Sequence, residues 1–222
     1  MLKLSKTERE QIAKAVEKAE QQTSGEITTA MIGQSYDYAK YELLIAVLAG
    51  LIYGVLIFMF SSEIEKCLQG IFWNYHVYLL TGFYIFSTFL VIVVVYFLAN
   101  IEVIDRLIVP KRVQVAWVKR RAMQHFSESG VGHTREGTGI LIFISLLEHR
   151  VELVADWGIS EKVEAVKWQS IVDRVISGIK INRLAKKLCE SILECGELLA
   201  KDFPRRSDDE NELADGIVEL DK

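Results

Sequence analysis

The chain has 222 residues, half of them apolar, and a formal net charge of -4. That balance argues against a basic nucleic-acid-binding domain, and three cysteines with no C-x-x-C pair argue against a disulfide framework. The charged start, MLKLSKTERE, lacks an apolar core and a cleavage site, so no secretory signal peptide is expected.

Ser5-Lys6-Thr7-Glu8 has the capping-box pattern that opens a helix. Ile12, Val16 and Ala19 then recur at helical spacing, and Ser24-Gly25 ends the pattern. Residues 26–32, EITTAMI, are β-branched and alternating, as in a strand. One helix and one strand cannot bury their apolar faces alone. They need a partner from elsewhere in the chain.

Residues 43–60 and 77–99 are uncharged and almost wholly apolar. The first run spans about 27 Å as a helix, close to a hydrocarbon core of roughly 30 Å. The second is longer and can tilt. Glu63, Glu65 and Lys66 mark a break between them, because a charge at bilayer centre costs about 2.5–3.5 kcal/mol. A transmembrane hairpin over 41–100 is expected. Lys66 is the one Lys or Arg of the connecting loop, whereas both flanks are basic. The positive-inside rule therefore puts both termini and the soluble domain on the cytoplasmic side of an inner or plasma membrane.

Pro110 precedes a basic helix over 111–127 with Val113, Trp117 and Phe126 among its apolar positions. The loop ESGVGHTREGTG leads into Ile140–Ile144, a continuous apolar run typical of a strand covered on both faces. Glu148-His149-Arg150 reads as a tight connection to a second, antiparallel strand with Val151, Leu153 and Ala155 alternating. Gly158 breaks that strand and Ser160 can cap the next helix. Val163, Val166, Val172, Val175 and Ile179 give that helix its apolar face. A last helix runs from about 182 to 201 with Leu184, Leu188, Ile192, Cys195 and Leu199 on one stripe, stopped by Phe203-Pro204. The acidic tail, 205–222, reads as loosely held. Residues 1–40 and 101–204 together make one domain, an α/β/α sandwich around a small mixed sheet, interrupted by the hairpin.

The segment HTREGTGILIFISLLEHRVELVADWGISEKV resembles the TPM domain family, as do Ser24-Gly25-Glu26-Ile27, Trp168, Cys195-Gly196, Phe203-Pro204 and Asn211-Glu212-Leu213. The family takes its name from a thylakoid lumen phosphatase-like protein, a photosystem II repair factor and a nematode receptor modulator. The resemblance covers most of 5–32 and 111–215. It implies the same three-layer sandwich, in a bacterial branch with an internal membrane hairpin. Exported members usually carry a terminal anchor, and the charges here place the domain inside.

The chemistry-bearing residues are few. The glycine loop 130–139 lacks the Lys of a phosphate-binding loop and is followed by a strand where a helix is required. Histidines 76, 125, 133 and 149 show no metal-ligand spacing. Arg135, Glu136, Glu148 and Arg150 are the candidate binding residues, exposed and free to meet a partner or each other. Arg106, Lys111, Arg112, Lys119, Arg120 and Arg121 form a basic flank for anionic lipid. Asp156 is a weak metal candidate that could join Glu128, Glu136 or Asp208-Asp209-Glu210-Asn211-Glu212 around a divalent cation such as calcium. No catalytic residue, cofactor or nucleic-acid partner is expected. The expected role is a membrane-tethered accessory factor for another membrane protein, with the bilayer itself as a partner. The alternative is a metal-assisted phosphohydrolase.

Overall fold

The structure, a computed structural model, describes residues 3–135, 137–160, 163, 165–206 and 211–221, with backbone alone at 102, 103 and 165. In chain order the elements are α1 (Lys6–Glu20), β1 (Glu26–Ile32), α2 (Ala39–Met59), α3 (Ser61–Ile71), α4 (Val77–Ala99), α5 (Glu102–Ile108) and α6 (Lys111–Glu128). After them come β2 (Gly139–Ser145), β3 (Arg150–Ala155), α7 (Trp157–Ser160), α8 (Ala165–Lys180), α9 (Leu184–Asp202) and β4 (Ile217–Leu220). They fall into two units. One comprises Met1–Tyr36 and Lys111–Lys222, the other Asp37–Pro110.

The first unit is the α/β sandwich. Its sheet has the order β3-β2-β1-β4. β1 runs parallel to both β2 and β4, and β3 returns antiparallel to β2. Successive side chains of a strand face opposite sides, and here both sides are covered. Ile27, Met31, Ile140, Ile142 and Ile144 pack under α1, α8 and α9, whereas Ala30, Ile32, Leu141 and Phe143 pack under Val118 and Ala122 of α6. All seven residues of β1 are therefore buried, not the alternate ones its sequence suggests. The same holds for β2, as its unbroken apolar run implies.

The Ser5–Glu8 capping box is present, with both reciprocal hydrogen bonds. The stripe of α9 is buried as expected, and so are Trp168, Ile171, Val175 and Ile179 of α8. Val166 is not: it is 81% exposed, because the buried face of α8 runs through Trp168 instead. Ser160 does not cap α8. It lies inside α7, where its hydroxyl donates back to the carbonyls of Ala155 and Asp156.

The largest correction concerns the tail. Residues 217–220 are a strand, Thr29–Ile32 of β1 pairing with Ile217–Leu220. Arg9 of α1 holds Glu219 at 2.9 Å. The sheet therefore has four strands where three are expected, and β1 is an inner strand.

The second unit contains two helices long and apolar enough to cross a membrane, Ala39–Met59 and Val77–Ala99. Leu51, Val55, Phe58, Phe86 and Phe97 are all more than 60% exposed. The two helices pack on each other where small residues permit. Ala46 is fully buried, and a Cβ on Gly50 would overlap Ile92. The connection expected as a loop contains α3, and α5 follows the second long helix.

Candidate functional site

Two ends of the sheet carry the charged residues, and seven-residue β2 separates them. Six steps of about 3.3 Å put those ends roughly 20 Å apart. The structure therefore does not bring Arg135 together with Glu148 and Arg150.

At the start of β2 the chain makes one 3₁₀ turn, Val131–His133, entered through Gly130 at φ 80°. The backbone N–H of Gly137 donates to the Thr134 carbonyl at 3.1 Å, and that of Thr138 to the Thr134 hydroxyl at 3.0 Å. Gly137 has φ 66°, and the Trp157 ring lies so close that a Cβ there would meet Nε1 at 2.6 Å. A side chain is thus barred twice at this position. The Arg135 side chain is exposed, and its backbone N–H donates to the Glu212 carboxylate at 3.1 Å. The backbone N–H of Glu212 donates in turn to Glu26 at 3.3 Å. The tail thus organises the loop, an arrangement that only Asn211-Glu212-Leu213 hinted at. Glu136 lies outside the described residues.

Asp156 closes β3 beside this loop. Its backbone N–H donates to the Gly139 carbonyl, and its carboxylate accepts from the N–H of Trp157 at 2.7 Å. It is a strand-end residue capping the next turn. Glu128 accepts from the Gln124 side chain at 2.7 Å. Among the described residues no three His, Cys, Asp or Glu side chains converge as a metal site would require. Asp208, Asp209 and Glu210 lie outside those residues.

At the other end of β2, Glu148 is 5% exposed rather than free on a surface. It accepts from the Ser35 N–H at 3.1 Å and from the Ser145 hydroxyl, and the Ser35 and Ser145 hydroxyls are 2.7 Å apart. A carboxylate is buried only when donors replace its water, and here they come from both halves of the chain. Arg150 is half-buried and lines a cavity of about 430 Å³ between β3 and α8. Burial pushes the Glu152 carboxyl up, opposed by Arg150 and Lys119.

On α6, Lys111, Arg112, Lys119 and Arg120 are exposed and Arg121 is half-buried. Helical geometry sets Arg112, Ala116, Lys119, Arg120 and Met123 along the side opposite Gln114, Val118 and His125. Trp117 stacks on Tyr36 at 3.8 Å, and the Arg120 guanidinium lies 5.1 Å from the Trp117 ring. This stack joins the two chain segments of the unit. His125 is buried against Phe143. Burial and Arg121 push its pKa down, and Glu128 works the other way. Arg106 belongs to α5 in the other unit and is exposed.

No family model and no curated protein matches the chain. Among solved structures, it is similar to the NMR structure of the BA42 protein from the psychrophilic bacterium Bizionia argentinensis. The match has a TM-score of 0.58 and 18% identity, and covers 98% of this chain and 95% of that one. It supports the fold alone.

Proposed function

We propose that the protein is a bacterial, TPM-like module inserted in an inner or plasma membrane by a two-pass hairpin, working by binding rather than catalysis. The observation that carries this reading is the position of β1. It comes from the first 36 residues, yet lies between β2 and β4 from the far side of the hairpin. The apolar helices are therefore an insertion within a folded domain, joined to it by the chain at both ends.

The recognition elements are the basic stripe of α6 and the Arg135 loop. Arg112, Lys119 and Arg120 suit anionic headgroups, at about 1 kcal/mol per cation. Arg135 stands on a loop fixed by Thr134, Gly137 and Glu212, and such loops are where recognition concentrates. A photocrosslinker beside Arg135 should capture another membrane protein, and Arg135→Glu should abolish the adduct without altering the fold. A divalent-dependent phosphate-ester hydrolysis that Asp156→Asn removes would instead establish the phosphohydrolase reading.

Sidedness is testable by thiol labelling. Cys195 is fully buried and Cys189 half-buried, and burial pushes both thiols up, so neither is a good reporter. An impermeant reagent on intact cells should label exposed Cys67 and fail to label an introduced Ser127→Cys on α6. Labelling of both, or of position 127 alone, contradicts the cytoplasmic assignment.

A further inference from the structure

β3 and β4 are the two edge strands of the sheet, and β3 is the longer of them. β3 pairs with β2 on one side, and among the described residues no strand pairs with the other. Asp156 N–H donates to Gly139, so the even-numbered residues of β3 turn their backbone groups toward β2. Val151, Leu153 and Ala155 turn theirs outward, the Ala155 carbonyl accepting there from the Ser160 hydroxyl at 3.3 Å and keeping its second lone pair for a further donor. Their side chains lie on the α8 side of the sheet, where Val151 and Leu153 meet Trp168, Val172 and Ile176 around the 430 Å³ cavity. Protein edges are usually blunted by charged side chains, proline or a bulge; Arg150–Ala155 has no proline and no bulge, and its two charges, Arg150 and Glu152, are of opposite sign.

From this edge we infer that two copies of the chain associate through antiparallel pairing of their β3 strands, with Leu153 on the two-fold axis. The register follows from charge. Outward groups sit on odd positions, so a second copy must pair odd with odd. Centring on Glu152 sets that carboxylate against its own copy, and centring on Val154 sets Glu152 against Asp156. Both place like charges opposite each other, which is destabilising. Centring on Val151 draws in the turn before β3, where His149 has φ 50° and its N–H is already bonded to Leu146. Centring on Leu153 uses the whole strand. It sets Arg150 opposite the second copy's Asp156 at both ends and Glu152 opposite the second copy's Val154. The cavity beside β3 is then bordered by the second copy's α8, and the sheet continues across the axis. A two-fold dimer of this kind has an isologous interface and closes on itself, leaving no β3 edge open for further addition. The inference does not depend on what the module binds.

The test uses the full chain in its own membranes, with Cys67→Ser to remove the exposed thiol and Leu153→Cys to mark the axis. Mild oxidation should give a disulfide-linked dimer, and Ser127→Cys in the same background should not. Arg150→Glu sets like charges at both ends and should reduce the dimer by at least about fivefold, whereas Arg150→Lys should retain it. Thermal unfolding of each variant in detergent checks the fold. If Arg150→Glu unfolds the protein, Arg150→Gln replaces it, with a smaller loss of dimer expected. No crosslink at position 153, a crosslink insensitive to charge in a folded variant, or one to a different polypeptide overturns the inference.

Discussion

The three uncharged apolar runs of this chain, 43–60, 77–99 and 140–144, meet two opposite fates. Ile140–Ile144 is fully buried, whereas α2 and α4 leave Leu51, Phe58 and Phe86 largely exposed. The residue types are the same, so composition does not decide the difference. Length and covering elements do. A seven-residue strand is short enough for α6 on one face and α1, α8 and α9 on the other to cover it. Helices of 21 and 23 residues cover only a strip of each other, and the remaining surface is long and apolar enough to cross a membrane.

The sharpest way to break the comparison is to place one polar group in a run of each kind. Ile142→Asp puts an unpaired charge in a doubly covered strand, at a cost of several kcal/mol. It should abolish cooperative unfolding followed by circular dichroism. Leu51→Ser in α2 should leave the unfolding transition of the sandwich unchanged. The converse test concerns close approach. Gly50→Leu should force α2 and α4 apart, at about 1–3 kcal/mol for an overpacked contact, and increase proteolysis within the hairpin. A similar loss, about 1–3 kcal/mol for buried donors left unpaired, is expected from Glu148→Ala in the sandwich, read as a lower thermal midpoint. Charge reversal of exposed Lys119 should barely move that midpoint.

A small effect of a different kind is a pH dependence. His125 has a folded pKa below its ordinary value of 6.5, because burial and Arg121 disfavour the imidazolium more than Glu128 favours it. The unfolded chain therefore binds the proton more readily. The stability this provides is complete above pH 6.5 and is lost as the pH falls through the depressed folded value. His125→Gln should flatten the dependence of thermal midpoint on pH between about 5 and 7.

Much of the fold was legible because local signals agree with it. The capping box, the stripe of α9 and the run 140–144 each identify their own element. The tail was not legible, since four residues, Ile217–Leu220, become a strand only by pairing with β1 almost two hundred positions earlier. Glu148 misled for the same reason. A charge beside a turn is usually solvated, but Ser35, 113 positions away, supplies a donor that buries it. Of the candidate site, Arg135 and the exposed cations of α6 are where exposure was expected. The Tyr36–Trp117–Arg120 stack and the Glu212 clasp depend on distant segments meeting, which periodicity does not encode.

The central claim is that Met1–Tyr36 and Lys111–Lys222 fold as one unit around an inserted hairpin. Tyr36 stacks directly on Trp117, which lies six residues into α6. A short flexible linker can therefore replace residues 37–110. That shortened chain should be soluble and unfold in a single cooperative transition, whereas residues 111–222 alone, missing the inner strand β1, should not fold. Equal stability of the 111–222 fragment and the linked chain would contradict the account.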